Sequence, residues 1–244
     1  MADGCVIFDF DGVIADTETL HLQAYNFAFT DQAAALRKAA PDRPQPPQLT
    51  ADQYFAKYIV YGNREGFALM LTDAGYRATA PLLDALCESK DRFFDDSLQH
   101  IAEPLPGVRQ LLGWLEERQV PRAICSGAAR REIQHLLGLF GVRAHFEFII
   151  TIEDVRHGKP DPEGYNLAFQ KLYEKYDTNL AKPHSLVIED SAGGCSAAKA
   201  AGIPVLGVAT SLPLARLQAC ADHALPDLSH LDYGELTRWL GMGV

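Results

Sequence analysis

An apolar run near the start of the chain leads directly into two acidic residues. Residues 5–8 are all apolar, and Asp9, Asp11 and Gly12 come soon after them. Because neighbouring residues of a strand face opposite sides of a sheet, an unbroken apolar run predicts a strand buried on both faces of a parallel sheet. Ligands of such sheets bind beyond the carboxyl ends of the strands. Asp9 and Asp11 are therefore predicted at a ligand-binding edge; the alternative is a polar strand end whose acids cap the next helix.

Between about residue 17 and residue 100 the apolar positions have helical spacing throughout, with no strand pattern. Apolar residues three or four positions apart predict a first helix that Asp16 or Thr17 could cap. Further helices are predicted over about 50–60, 63–74 and 80–99. We therefore interpret residues 17–100 as a helical insertion.

After residue 107 helical and strand patterns alternate. Helices are predicted over about 108–118, 129–140, 162–176 and 193–202, and strands over 122–126, 146–151, 185–190 and 204–208. Such alternation implies right-handed crossovers and a doubly wound parallel sheet. The expected fold is α/β, with a core domain of residues 1–16 and 101–244 and an inserted helical domain of residues 17–100. The tail, residues 209–244, is expected to hold turns and a last helix without chemistry.

Polar residues also follow three later strands of the predicted sheet. Ser126 and Gly127 end the second strand, Lys159 follows the third, and Glu189 and Asp190 end the fourth. Each has an ordinary explanation by itself: a strand-to-helix turn, a solvated loop lysine and a helix cap. In a doubly wound sheet, however, all of them share one edge with the acids of the first strand. Their convergence predicts an active site at that edge.

These residue types together indicate phosphoryl transfer. Carboxylates gathered at one edge repel one another and imply a bound cation. Mg²⁺ suits a site of few carboxylates that is completed by water and phosphate. A carboxylate can also attack phosphorus as a nucleophile, while a neighbouring acid donates and later removes a proton. A lysine, a hydroxyl and main-chain N–H groups can hold the phosphoryl oxygens during the transfer.

Four segments, in this order, also resemble the motifs of a known superfamily. They are Asp9-Phe-Asp11-Gly-Val-Ile, Cys125-Ser126-Gly127, Lys159-Pro-Asp161-Pro and Ile188-Glu189-Asp190-Ser191. Over about residues 5–208 the chain is similar to the haloacid dehalogenase (HAD) superfamily, which has a Rossmann-like core. The helical insertion directly after the first motif resembles the C1 cap of subfamily I. Segments 16–21 and 197–203 resemble the β-phosphoglucomutase/CbbY-like branch.

The resemblance implies roles for the acidic residues. Asp9 is expected to be the nucleophile and a Mg²⁺ ligand. Asp11 is expected to be the general acid and base, with its main-chain carbonyl also on the metal. Asp190, with help from Glu189, is expected to complete the metal site. The dehalogenases that name the superfamily lack an aspartate at the position of Asp11, so the resemblance points away from carbon–halogen cleavage.

The resemblance also implies how phosphate is held. Ser126 and Lys159 are expected to bind the phosphoryl group, with the main chain at Gly127 close to it. The loop then continues through Ala128 and Ala129, whereas β-phosphoglucomutase carries polar side chains there for a second phosphate. A phosphatase of a small phosphorylated metabolite, for example a sugar phosphate, is therefore predicted, acting through an aspartyl-phosphate intermediate. The alternatives are a sugar phosphomutase and a catalytically idle protein that binds a phosphorylated metabolite.

Further substrate contacts are predicted in the helical insertion, at His21, Arg64 and Lys90. His21 has the spacing at which the mutases keep a histidine near the acid/base. The alternative for His21 is a helix-surface histidine. Arg64 and Lys90 have the alternative of plain surface charges.

Composition and charge narrow the class of protein. The net charge is −10 and the isoelectric point is about 5.2, which argues against nucleic acid and anionic membranes as partners. No apolar run approaches the roughly 18 residues of a membrane span. The first strand begins so early that no signal peptide is expected, and five scattered cysteines without a C-x-x-C pair indicate reduced thiols. A cytoplasmic enzyme is expected; the oligomeric state stays open, and a monomer is compatible with the sequence.

Overall fold

The chain divides into two compact units. The first, here called the core unit, consists of Met1–Asp16 and Ile101–Val244; the second, the helical unit, consists of Thr17–His100. The computed structural model describes residues 3–43, 45–59, 61–98, 100–101, 103–176 and 180–242. Each unit has a hydrophobic core of its own.

Six short strands among the described residues of the core unit form one parallel sheet. They are β1 (Val6–Phe8), β2 (Arg122–Cys125), β3 (Phe148–Ile150), β4 (Leu186–Glu189), β5 (Val205–Val208) and β6 (His223–Leu225). Their order across the sheet is β3-β2-β1-β4-β5-β6, and every pairing is parallel. In the register of the central strands, Phe8 aligns with Ile124 on one side and with Ile188 on the other. The predicted doubly wound α/β fold is confirmed.

Helices occupy most of the remaining described residues. In chain order they are α1 (Glu18–Asp31), α2 (Ala33–Ala39), α3 (Ala51–Gln53), α4 (Asn63–Asp73), α5 (Ala80–Leu98), α6 (Val108–Glu117), α7 (Arg130–Leu139), α8 (Glu163–Tyr176), α9 (Ala192–Ala200), α10 (Leu214–Leu217) and α11 (Tyr233–Trp239). A π-helical turn, Tyr54–Tyr58, continues α3, and 3₁₀ turns lie at Arg143–His145, Ile152–Asp154, Lys182–His184 and Leu228–His230. None of the described helices combines the length and the hydropathy that crossing a membrane requires.

The apolar run at the start of the chain accounts for the central place of β1. Val6, Ile7 and Phe8 are completely buried. Ile7 belongs to the cluster that β1 forms with α8 and α9, while Phe8 packs edge-on against Phe146, with 5.6 Å between ring centres. Burying one such side chain completely is worth about 1.5–3 kcal/mol. Both faces of β1 are covered, so the chain becomes polar only at Asp9, where β1 ends at the carboxyl-terminal side of the sheet.

Two elements differ from the sequence prediction. The tail contributes a sixth strand, His223–Leu225, which has an exposed first residue and only partly buried neighbours, so it lacks the apolar run that marks a strand. The helix expected over about 50–60 is instead the short α3 followed by the π-helical turn. That turn places Tyr54 and Tyr58 in the core of the helical unit.

A polar pair lies among aromatic rings inside the helical unit. The His21 ring stacks on Phe94 with 4.2 Å between ring centres, and His21 Nδ1 lies 3.1 Å from Nζ of Lys90. The Lys90 side chain is 1% exposed, and its ammonium lies 4.8 Å from the centre of the Tyr25 ring and 5.2 Å from that of Phe94. Burial, together with the Lys90 charge, lowers the pKa of His21 well below its ordinary value.

Acidification is therefore expected to destabilise the wild-type protein more than the variant His21→Gln. Below its ordinary pKa of 6.5 the unfolded His21 takes up a proton that the folded ring does not, so this contribution to stability is complete above pH 6.5 and is lost as the pH falls below it. For one proton, the free energy of unfolding changes by up to about 1.4 kcal/mol per pH unit. Urea unfolding at pH values between about 7.5 and 5 measures it.

The control for this experiment is His135→Gln, which changes an exposed histidine on α7. Its stability should keep the pH dependence of the wild type. Equal pH dependence of wild type and His21→Gln would contradict the assignment of a neutral His21.

Candidate active site

The chain turns sharply directly after β1, and a glycine makes the turn. Asp9 continues the sheet by donating its N–H to the carbonyl of Ile188 at 2.9 Å, and its side chain is buried. Gly12 has φ +69°, in the left-handed region that favours glycine. A Cβ at Gly12 would also lie 1.8 Å from Oδ2 of Asp190. The glycine of the first motif thus lets the turn approach Asp190, the acid that directly follows β4.

Lys159 joins two acids that come from different strands. Its Nζ lies 2.7 Å from Oδ1 of Asp9 and 2.7 Å from Oε1 of Glu189. The lysine side chain is 18% exposed, whereas Glu189 is completely buried. One ammonium therefore connects the ends of β1 and β4, and it keeps a narrow opening to solvent.

Glu189 is held by donors on both of its oxygens. Oε1 accepts from Lys159 and from the hydroxyl of Tyr165, each at 2.7 Å. Oε2 accepts from the N–H of Asp190 at 3.0 Å, the N–H of Ser191 at 3.1 Å and the Ser191 hydroxyl at 2.9 Å. A Cβ at Gly194 would lie 1.7 Å from Oε1, so a glycine is needed there for α9 to approach the carboxylate.

The alternative that residues 189–191 form a helix cap is also partly correct. Ser191 Oγ accepts from the N–H of Gly194 at 3.0 Å and caps α9. Glu189, however, points back to Lys159, so the segment caps a helix and supplies an acid to the edge of the sheet.

The charges at this edge shift the pKa values of all three groups. Burial raises the pKa of the Asp9 carboxyl; Lys159 opposes this, while Glu189 and Asp11 add to it. Burial alone would lower the pKa of Lys159, but Asp9 and Glu189 raise it more, so the lysine stays an ammonium. Burial alone would raise the pKa of Glu189, but Lys159 and the hydrogen bonds of Tyr165 and Ser191 bring it below its ordinary value. Lys159 and Glu189 are therefore both charged, and Asp9 is the acid that gains most from a further cation.

A group of three buried acids could hold that cation. Single carboxylate oxygens of Asp9, Glu189 and Asp190 all lie within 4.8 Å of one another. Oxygen donors at such distances suit a hard divalent cation. Because all five donors to Glu189 come from the protein, Asp9 and Asp190 are the better candidates for direct ligands.

Ser126, which directly follows the neighbouring strand β2, contacts Asp11. The Ser126 hydroxyl donates to Oδ2 of Asp11 at 3.3 Å and accepts from the N–H of Ala128 at 3.0 Å. Ser126 is buried and Asp11 is half-buried. The structure therefore brings together the predicted residues of β1, β2 and β4 and the predicted lysine.

Comparison with known proteins identifies the family. The family model for haloacid dehalogenase-like hydrolases matches residues 4–202. The chain belongs to this family. The predicted family is confirmed.

Three relatives of this HAD-like hydrolase are informative. A phosphorylated carbohydrates phosphatase of Thermotoga maritima is 30% identical over 211 residues, which is 85% of this chain and 86% of the relative. A CbbY protein of Cupriavidus necator is 30% identical over 235 residues, covering 93% of this chain and 85% of the relative. The solved structure of a putative β-phosphoglucomutase from Thermotoga maritima has a TM-score of 0.70 at 26% identity, covering 93% and 95% of the two chains. The similarity to the CbbY/β-phosphoglucomutase-like branch is thus confirmed.

Three residues that support this site, Tyr165, Thr210 and Ser211, lie outside the four HAD motifs, and no sequence pattern predicted them. Tyr165 contacts Glu189, as described above. The Ser211 hydroxyl donates to Oδ2 of Asp190, and the Thr210 hydroxyl donates to the carbonyl of Gly12. Thr210 and Ser211 follow β5, so the segment expected to carry no chemistry supports both the first motif and the fourth. The only sequence signal for Thr210 and Ser211 is that they, like the motif residues, are polar and follow a strand.

The predicted substrate residues of the helical unit differ in their surroundings. Arg64 is exposed and forms an ion pair with Asp84, which agrees with a surface charge. The surface alternative is wrong for Lys90, which lies buried beside His21. His21 is half-buried rather than a plain surface histidine.

Proposed function

We propose that this HAD-like hydrolase is a phosphatase of small phosphorylated carbohydrates that uses Asp9 as its nucleophile. The observation that carries the proposal is the buried Asp9 at the end of β1, 2.7 Å from the Lys159 ammonium. The phosphatase relative that is 30% identical supports the same substrate class. The carboxylate–hydroxyl contact of Asp11 and Ser126 provides the acid/base and the phosphate donor beside the nucleophile.

The proposed cofactor is Mg²⁺, held by Asp9, Asp190 and the main-chain carbonyl of Asp11, with Glu189 nearby. Three buried carboxylates lie close together while one ammonium contacts two of them, which leaves negative charge that a divalent cation would compensate. When bound, Mg²⁺ supplies positive charge to the phosphoryl oxygens and shields Asp9 from their repulsion.

In the first half of the proposed reaction, Asp9 attacks the phosphorus of the substrate. The bond from phosphorus to the sugar oxygen breaks, and protonated Asp11 gives its proton to that oxygen as it leaves. Lys159 and Ser126 donate to the phosphoryl oxygens while negative charge accumulates on them. The products of this half are the free sugar and a phosphate ester of Asp9.

In the second half, the Asp11 carboxylate removes a proton from water, and the resulting nucleophile attacks the phosphorus of the Asp9 ester. The acyl–phosphate bond breaks, Asp9 returns to a carboxylate, and inorganic phosphate leaves. Asp11 has regained its proton, so the cycle balances.

The loop after β2 favours hydrolysis over a mutase reaction. It carries Gly127, Ala128 and Ala129, none of which has a polar side chain. The next residue, Arg130, already has partners within the protein. The Arg130 side chain forms an ion pair with Asp154 and donates to the carbonyl of Ile149 at 3.0 Å. No cationic side chain of this loop is therefore directed to a second phosphate, which a phosphomutase must bind.

We propose further that the helical unit is the cap domain, and that His21 and Lys90 contribute to substrate binding. A buried lysine beside a neutral imidazole supports this, since a core built for packing alone rarely holds such a pair. Arg64 stays a weaker candidate because Asp84 pairs with it.

The proposed function is tested by phosphate release from a panel of phosphorylated sugars and nucleotides, with Mg²⁺ and with a chelator. Release that depends on Mg²⁺ is expected, with sugar phosphates preferred over nucleotides. Isomerisation of a hexose 1-phosphate in the presence of its bisphosphate, with little phosphate release, would establish the mutase instead. Binding of these compounds without any turnover would indicate the idle binding protein.

A further inference from the structure

Tyr165 reaches the active site from α8 and contacts both members of an ion pair. Its side chain is completely buried, and its hydroxyl donates to Oε1 of Glu189 at 2.7 Å. The same oxygen accepts from Nζ of Lys159 at 2.7 Å. Nζ also lies 5.1 Å from the centre of the Tyr165 ring, within the range of a cation–π contact.

The position of the Lys159 ammonium depends on a balance between two carboxylates. One lies on Asp9 and the other on Glu189, and both are 2.7 Å from Nζ. A hydrogen bond from Tyr165 withdraws negative charge from Oε1 and weakens its attraction for the ammonium. Glu189 cannot rotate to compensate for a lost donor, because three other donors hold Oε2.

We propose that Tyr165 is a positioning residue that keeps the Lys159 ammonium between Glu189 and Asp9. Without the hydroxyl, the ammonium moves toward Glu189 and away from the nucleophile. Tyr165 then affects turnover only through Lys159, and this part of the inference rests on the proposed phosphatase function. Burial and the Glu189 charge raise the pKa of Tyr165 well above its ordinary value, so the hydroxyl keeps the proton that it donates.

The same helix offers a matched control. Tyr176, the last residue of α8, also donates its hydroxyl to a glutamate, Oε1 of Glu147, at 2.6 Å. Glu147 directly precedes β3, at the end of the sheet opposite to the active site. Both tyrosine-to-phenylalanine changes remove one phenol–carboxylate hydrogen bond, which is buried at Tyr165 and half-buried at Tyr176, but only Tyr165 is near Lys159.

The kinetic test compares Tyr165→Phe with Tyr176→Phe on the best substrate of the panel. Tyr165→Phe is expected to lower kcat about 10-fold while KM and the inhibition constant of inorganic phosphate change less than about threefold, because the lysine contact strengthens in the transition state. Tyr176→Phe should leave kcat within about twofold of the wild type. Urea unfolding should show a loss of stability for both variants, and the loss should be larger for Tyr165→Phe because its hydrogen bond is buried. Equal kcat values for the two variants would overturn the inference.

A second measurement does not depend on turnover. In a crystal structure of Tyr165→Phe, the distance from Nζ of Lys159 to Oδ1 of Asp9 should exceed about 3.5 Å, the limit of a hydrogen bond, while Nζ stays on Glu189. An unchanged lysine between the two acids would overturn the inference even if the protein hydrolyses phosphate esters. If the wild type hydrolyses none of the panel, the proposed function fails, and the position of the lysine still decides the role of Tyr165.

Discussion

Replacing Asp9 by asparagine is expected to lower phosphate release by at least about 10⁴-fold while leaving the fold intact. The amide has the size of the carboxylate, but it does not attack phosphorus. In the presence of a chelator the variant should be at least as stable as the wild type, because Asp9 is an acid whose pKa burial and its acidic neighbours raise. Loss of activity without loss of stability, measured by phosphate release and urea unfolding, is the expected result.

The control for this change is Asp227→Asn. Asp227 caps a 3₁₀ turn in the tail, where it accepts from the N–H of Ser229 at 2.8 Å, and an asparagine can do the same. Its activity should equal that of the wild type. Substantial Mg²⁺-dependent turnover by Asp9→Asn would show that another residue is the nucleophile.

Replacing Lys159 by methionine is expected to reduce both activity and stability. Methionine fills the space of the lysine stem, but Asp9 and Glu189 then lose the ammonium that lies 2.7 Å from each. Removing one partner of a buried ion pair costs about 3–5 kcal/mol of stability. Loss of a donor to the transferring phosphoryl group lowers kcat about 10²–10³-fold. Urea unfolding in chelator and steady-state kinetics with Mg²⁺ measure the two effects.

The double variant Lys159→Met with Asp9→Asn separates charge from packing. If repulsion between the uncompensated acids causes the instability, the second change should restore part of the free energy of unfolding. Lys182→Met is the matched control, because the Lys182 ammonium binds only neutral groups among its described partners: Asn166 Oδ1 at 2.7 Å and the Ala201 carbonyl at 2.8 Å. It should leave kcat unchanged. A stable, fully active Lys159→Met would contradict the proposed role of the lysine.

The sequence was sufficient to predict the elements that combine burial with regular spacing. β1 was predictable because every residue from Val6 to Phe8 is apolar and buried. β6 was not, because His223 is exposed and the strand is held mainly by pairing with β5 at the edge of the sheet. The π-helical turn at Tyr54–Tyr58 was equally hidden, since its apolar spacing resembles that of an ordinary helix.

The residues of the candidate site also fall into two groups, those that the sequence predicts and those that it does not. Its motif residues were predictable because they follow strands whose carboxyl ends must share one edge of the sheet. Tyr165 and Ser211 were not predictable. Tyr165 is 24 residues from Glu189 in the chain and Ser211 is 21 residues from Asp190, so these contacts form only when the chain packs. The burial of Lys90 was likewise hidden, since a lysine in a helix is usually exposed.

The central place of β1 has a consequence for how the protein is made. β1 leaves the ribosome before both of its neighbours, β2 and β4, which come more than one hundred residues later in the chain. Pairing these strands closes a long loop, which costs chain entropy and slows folding. Residues 17–100, in contrast, find the partners of their own hydrophobic core within a single continuous segment. During synthesis the helical unit can therefore collapse early, while β1, the strand that leads into Asp9, pairs only after the second half of the chain has been made.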